Sequence, residues 1–327
     1  MDTSELTDLA SALLGGRALA ANDEFFAARS NLLLPHEPVF IPGKFTARGK
    51  WMDGWETRRR RTPGHDWCVI RLGLRGVVHA ADVDTRFFNG NQPEQASIEG
   101  CDLARGTAPG PRTRWTELLA RTPLRPNVHN LVEVAGVGPL THVRLNIHPD
   151  GGVARLRVLG VVEVDWTRRA GRRVDLAAVA SGGRVLAASD EHFGSKDHLI
   201  LPGPAPNMGD GWETRRRRGP GHDWVVVKLG AAGLIEAVEV DTRHFKGNYP
   251  ESCRLEGVDA AGATAVQLAG SDLGWRELMG RTRLRPNQRH HFARDLVARG
   301  PFTHVRLSIF PDGGVSRLRI HGRPRLA

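Results

Sequence analysis

The chain is written in short hydrophobic runs broken by turn residues. "DWVVVKLG" at residues 223–230 is a near-continuous β-branched run, the pattern of a buried strand. "LIEAVEVDT" at 234–242 alternates apolar with polar, as a half-buried strand does. "SRLRI" at 316–320 alternates arginine with leucine and isoleucine, which predicts one face in and one face out. Between such runs, "NGN", "KGN", "PDGG" and "RPN" supply Gly, Asn or Pro where a turn needs a positive or a fixed φ. Three stretches look briefly helical: "WTELLART", "WRELMGRT", and the amphipathic N-terminal "MDTSELTDLASALLGG", closed by Gly15 and Gly16. The pattern predicts an all-β protein.

Nearly every element occurs twice. "DGWETRRRR" at Asp53–Arg61 returns letter for letter at Asp210–Arg218. "VDTRFFNGNQPE" at 83–94 returns as "VDTRHFKGNYPE" at 240–251, and "THVRLNIHPDGGVARLRVLG" at 141–160 as "THVRLSIFPDGGVSRLRIHG" at 303–322. Upstream, "DLASALLGGRALAANDEFFAARSNLLLP" matches "DLAAVASGGRVLAASDEHFGSKDHLILP" at an offset of 167, whereas the arginine run is offset by 157. The first copy therefore carries a ten-residue insertion around "HEPVFIPGKFTARGKW". A period this long is a duplicated domain rather than a solenoid unit. The expected organisation is two tandem jelly-roll β-sandwich domains, residues 1–165 and 166–327, each large enough to bury its own core.

Composition narrows the function. The 3 cysteines are an odd number and none recurs in the other copy, so neither a disulfide framework nor a Cys-x-x-Cys metal knuckle is expected, which fits a reducing cytosol. No stretch is apolar enough to cross a bilayer, and the acidic N-terminus does not look like a signal peptide. A net charge of +10 favours anionic partners. Nucleic acid is disfavoured, because each arginine run sits beside Glu56 or Glu213 and 36 acids are spread over the chain. A small anion is the better match.

The candidate chemistry is the set of polar residues that both copies keep at turns. These are Glu56, Arg58, His65, Asp66, Asp84, Arg86, Asn91 and Glu94, matched by Glu213, Arg215, His222, Asp223, Asp241, Arg243, Asn248 and Glu251. Within an extended arginine run, alternate side chains face water or pair with acids, or one of them forms a two-pronged pair with a substrate carboxylate. His65 and His222, each followed by Asp, could move a proton, as could His129, His290 and His291, although adjacent strand residues point to opposite faces. His192 and His198 have Phe25 and Asn31 in their places in the first copy, so no metal and no cofactor are expected. A nucleophile elbow is absent. The residues alone leave a hydrolase of ureido or amidino compounds and a non-catalytic tandem binding module both open.

The motif series "DGWETRRRR", "GHDW", "VDTRHFKGN", "LRPN", "THVRL", "PDGG" and "RLR" resembles the allantoicase (allantoate amidinohydrolase) family over essentially the whole chain. The resemblance implies two jelly-roll repeats similar to galactose-binding or discoidin-type modules. It also implies hydrolysis of allantoate to ureidoglycolate and urea in purine catabolism, by a cytoplasmic homo-oligomer. The departures are the insertion before Trp51, and Phe87 where the second copy has His244. On this reading Arg243 or Arg215 holds the substrate carboxylate, His244 or His222 transfers a proton, and Asp241 or Glu213 orients a ureido arm or activates water. Asn248, Glu251, Arg86, Asp84, Asn91 and His65 complete the expected substrate-binding set.

Overall fold

The computed structural model describes residues 6–270 and 273–325. The chain divides into two units, with the division after Glu163. Both are all-β jelly-roll sandwiches, and among the described residues the one α-helix is the five-residue Ala265–Ala269, closed at its start by a Thr264/Gln267 capping box.

In the first unit the strand Asp66–Asp84 is the spine. Its opening half pairs with Arg17–Ala21 and with the end of Leu131–His148; its closing half pairs with Arg155–Val162 and with the start of Leu131–His148. Gln95–Cys101 and Thr116–Pro123 extend the first of these layers. One strand thus belongs to both faces of the sandwich, and the register shift between Arg71 and Gly76 marks the corner. Gly76 permits that bend, because a β-carbon there would sit 2.4 Å from the Val161 carbonyl oxygen. The second unit repeats the plan around Asp223–Asp241, with the shift between Lys228 and Gly233. The two runs expected as separate strands, 223–230 and 234–242, are therefore the two halves of one.

Between the layers of the first unit lies an apolar core that includes Cys68, Ile70, Val83, Ile98, Val143, Leu145 and Leu156. Each such buried aliphatic side chain stabilises the fold by roughly 1.5–3 kcal/mol relative to exposure. Trp55 and Trp212 are fully buried, and their ring N–H groups donate to the carbonyls of Asp23 and Asp190, both at 2.8 Å.

Three local expectations are corrected. "WTELLART" and "WRELMGRT" lie in the strands Thr116–Pro123 and Arg276–Arg283, because pairing with Gln95–Cys101 and Ser252–Val258 overrides a weak helical pattern. The N-terminal helix is instead a bridge, Thr7–Asp8, followed by a 3-10 turn, Ala12–Leu14, with Gly15 at φ 92°; the first five residues of that stretch lie outside the described residues. In "SRLRI" the first arginine faces inward. Arg317 is 2 % exposed and pairs with Asp210 at 2.6 Å, as Arg155 at 1 % pairs with Asp53 at 2.9 Å. Backbone carbonyls take their remaining N–H groups.

Candidate active site

Three segments far apart in sequence converge at the same end of each sandwich. The short strand Trp55–Glu56 pairs with Gly152–Val153 of the "PDGG" turn, and Trp212–Glu213 pairs with Gly314–Val315. The third segment is the turn after the spine strand, which carries Asn91 or Asn248. Its carbonyl accepts the N–H of Gly152 or Gly314, both at 2.8 Å. Both glycines of "PDGG" are required. Gly151 and Gly313 hold φ near +130°, and a β-carbon on Gly152 or Gly314 would lie 1.9 Å from the ring of Phe88 or Phe245.

These segments enclose matching cavities, about 410 Å³ in the first unit and about 480 Å³ in the second. The first is lined by Glu56, Arg59, Arg60, Asn91, Glu94 and Asp150 among others, the second by Glu213, Arg216, Arg217, Asn248, Glu251 and Asp312. Asn91 donates its amide to Glu56 at 2.8 Å, and Asn248 donates likewise to Glu213. Burial pushes the Glu56 carboxyl above its ordinary pKa, against the amide hydrogen bond of Asn91 and the charge of Lys50.

The arginine run divides by parity. Arg58 and Arg215 pair with Asp23 and Asp190 at 3.1 and 3.2 Å. Arg60 pairs with the buried Asp66 at 2.9 Å, and Arg217 with the buried Asp223. Their backbone N–H groups also donate to Asp150 and Asp312, at 2.8 and 2.7 Å, which pins the run to the "PDGG" turn. Arg59 and Arg216 face the cavities and make no ion pair or side-chain hydrogen bond among the described residues. Each pocket thus holds an uncommitted guanidinium opposite a carboxylate braced by an amide, an arrangement suited to a small anion with polar arms.

The residues expected from sequence fall into two groups. Glu56, Asn91 and Glu94, and their counterparts Glu213, Asn248 and Glu251, line these cavities. The rest stand around them. Asp241 is fully buried and takes Arg243 in a two-pronged pair at 2.6–3.1 Å, and Asp84 takes Arg86 in the same way. Arg215 is held by Asp190. His244, at φ 71°, turns its Nε2–H to the Ala205 carbonyl at 2.9 Å. His222 packs on Phe310 with ring centroids 4.6 Å apart, and burial, then Arg254, pushes its pKa down. His65 is exposed and packs at a tilt, ring centroids 4.6 Å apart, against His148, whose pKa is pushed down to about 4 by burial and then by His65.

Arg59, Arg216, Asp150 and Asp312 were not singled out in the sequence. The repeated acids at 23/190 and 66/223 could have shown that alternate arginines are committed, leaving 59 and 216. Metal donors offer little. His198 faces the Gly211 carbonyl at 3.3 Å and His192 packs edge-on to Phe193. Glu37, Asp84 and His129 bring donor atoms within 4.8 Å of one another, but Arg86 already engages both carboxylates.

The family model of the allantoicase repeat matches residues 7–163 and again 174–325. The chain is 54 % identical over 320 residues to a "Probable allantoicase" of Pseudomonas aeruginosa (strain LESB58), covering 98 % of this chain and 96 % of the relative. It is 49 % identical over 321 residues to "Probable allantoicase 1" of Burkholderia mallei (strain ATCC 23344), covering 98 % and 95 %. Among solved structures, the allantoicase of Saccharomyces cerevisiae superposes with a TM-score of 0.83 at 35 % identity, over 97 % of this chain and 93 % of that one. The duplicated sandwich, the duplicated pocket and these likenesses agree: the chain belongs to the allantoicase family.

Proposed function

We propose that the paired pockets are where the chain hydrolyses allantoate to ureidoglycolate and urea, the reaction that its family membership assigns to it. One observation carries the proposal: in both units an unpaired arginine faces a carboxylate held by an asparagine amide. Allantoate has one carbon bearing a carboxylate and two ureido arms. Arg59 or Arg216 takes the carboxylate in a two-pronged pair that lysine could not copy. Asn91 or Asn248 fixes the rotamer of Glu56 or Glu213 and offers its oxygen to a ureido N–H.

The glutamate then moves one proton. It accepts a proton from water as the water oxygen bonds to the central carbon, and returns it to the nitrogen of the departing arm as the C–N bond breaks. The retained ureido nitrogen supports the electron-poor carbon. Atoms balance as allantoate plus water giving ureidoglycolate plus urea.

The other expected residues are proposed as positioning groups. Asp84–Arg86 and Asp241–Arg243 clamp the turns that carry Asn91 and Asn248; His65 and His222 back the walls at Pro149 and Pro311. Glu94 and Glu251 sit at the rim, where Glu251 already meets Arg281 at 3.1 Å. As part of the same proposal the protein is a cytoplasmic homo-oligomer without nucleic-acid or membrane partners. Among the described residues no helix is long and apolar enough to cross a membrane.

Turnover of allantoate in heavy-oxygen water tests the step. The label should enter the ureidoglycolate hydroxyl, with one urea and no ammonia per allantoate. Label in the urea, or ammonia release, would place the attack at a ureido carbonyl and refute it.

A further inference from the structure

The two pockets differ on the far side of the glutamate. In the first unit a second cavity of about 490 Å³ lies against Glu56, Asn91 and Phe26, all of which also line the first cavity, and its other walls include Lys50, Phe87 and Asn89. Glu56 and Asn91 therefore form a partition with a chamber on either side. The inserted segment contributes to the second chamber. Its Lys50 stands in the wall, and its Phe40 stacks on Phe87 with ring centroids 5.9 Å apart. Phe87 holds a left-handed φ of 68°, fixed by its N–H donating to Asn127 at 2.7 Å.

The chemistry of this chamber matches a ureido arm. Such an arm is planar, with one carbonyl oxygen and several N–H groups. The Asn89 amide offers both a donor and an acceptor and makes no hydrogen bond of its own among the described residues. The Phe87 ring offers a flat apolar wall, and Lys50 a cation for the carbonyl. In the second unit each of these features changes: the insertion is missing, His244 replaces Phe87 and ties its ring to Ala205, and Lys246 stands where Asn89 does.

Resting on the reading of the site given above, we propose that this second chamber receives the ureido arm that remains on the product, with Asn89 as its specificity-determining side chain. It follows that the first repeat carries most of the turnover. The substrate spans the partition: its carboxylate lies with Arg59 on one side, its retained arm with Asn89 on the other, and its central carbon beside Glu56.

Steady-state urea release from allantoate tests this with N89A, K246A and the single variants E56Q and E213Q, each checked for an unchanged melting transition. N89A should raise KM about three- to tenfold, the usual result of losing a neutral hydrogen bond at a side chain open to water, with a smaller effect on kcat. K246A, at the equivalent position and not among the residues lining the second unit's cavity, should leave both constants within about twofold. E56Q should lose at least about tenfold more kcat/KM than E213Q. An unchanged KM in N89A, or a K246A defect equal to it, overturns the role of the chamber. A loss in E213Q as large as that in E56Q overturns the assignment of turnover to the first repeat. Neither result touches the general site, which fails only if E56Q and E213Q both keep full activity.

Discussion

Adjacent arginines of the same run should respond in opposite ways to the same substitution. Arg59 and Arg216 have no partner among the described residues, so R59M/R216M removes no interaction of the folded chain and should leave stability within about 0.5 kcal/mol. What it removes is the charge-assisted pair with the substrate carboxylate. Hydrogen bonds to charged groups contribute about 1.5–3 kcal/mol, and because these pockets are open to water no more than that is expected. The predicted rise in KM is thus roughly 10–150-fold. R60M/R217M, one residue along, should do the reverse. It takes the guanidinium from Asp66 and Asp223, which are 3 % and 1 % exposed, leaving them the hydrogen bonds of Asn22 and Ser189, and losing one partner of such a half-buried pair costs about 1–3 kcal/mol. Chemical denaturation and initial-rate urea release on the two double variants separate the cases. If R59M/R216M unfolds as readily as R60M/R217M while its KM stays at the wild-type value, the parity argument fails.

Three further outcomes follow from the same geometry. Alanine at Gly152 or Gly314 drives a β-carbon into Phe88 or Phe245 and should cost about 1–3 kcal/mol or more by denaturant titration, with loss of activity as the Glu–Asn turn is displaced. N91A removes a hydrogen bond that favours the ionised Glu56. The acidic limb of the kcat/KM–pH profile should move to higher pH, and a shift to lower pH would count against glutamate as the base. His304 is 2 % exposed, and burial, then Lys228, pushes its pKa down from 6.5 to about 4. The unfolded chain binds the proton first, so the stability contributed by neutral His304 is present above pH 6.5 and is lost as pH falls towards 4. The loss reaches about 3 kcal/mol at most, and H304Q should flatten the stability profile over that interval.

The sequence carried the duplication, the β architecture and the turn chemistry, because these are local properties that repeat. Its limits were set by long-range pairing. Nothing local in "WTELLART" shows that Gln95–Cys101 will claim it as a strand, and nothing in "SRLRI" shows that the segments around Asp53 and Asp210 will cover Arg155 and Arg317. The site divides along the same line. Glu213, Asn248, Glu251 and Asn91 could be listed from their recurrence at turns, and the structure gathers them around a cavity. Asp241, Arg243, Asp84 and Arg86 recur just as faithfully, but their charges are spent on one another. Recurrence alone cannot separate a group that touches a ligand from one that holds a loop. The partners make the distinction: Arg215 and Arg243 are held by Asp190 and Asp241, whereas Arg216 and Arg59 face the cavities.

On the reading proposed above, the Glu–Asn–Arg pockets perform the hydrolysis. Urea release from allantoate by purified wild-type protein and by the folded double variant E56Q/E213Q tests it most directly. Glutamine keeps the size and the hydrogen bond to asparagine but cannot take a proton, so kcat should fall by roughly 100-fold or more while the melting transition stays in place. Wild-type kcat in the double variant would show that the proton moves elsewhere and that these pockets are not where allantoate is cleaved.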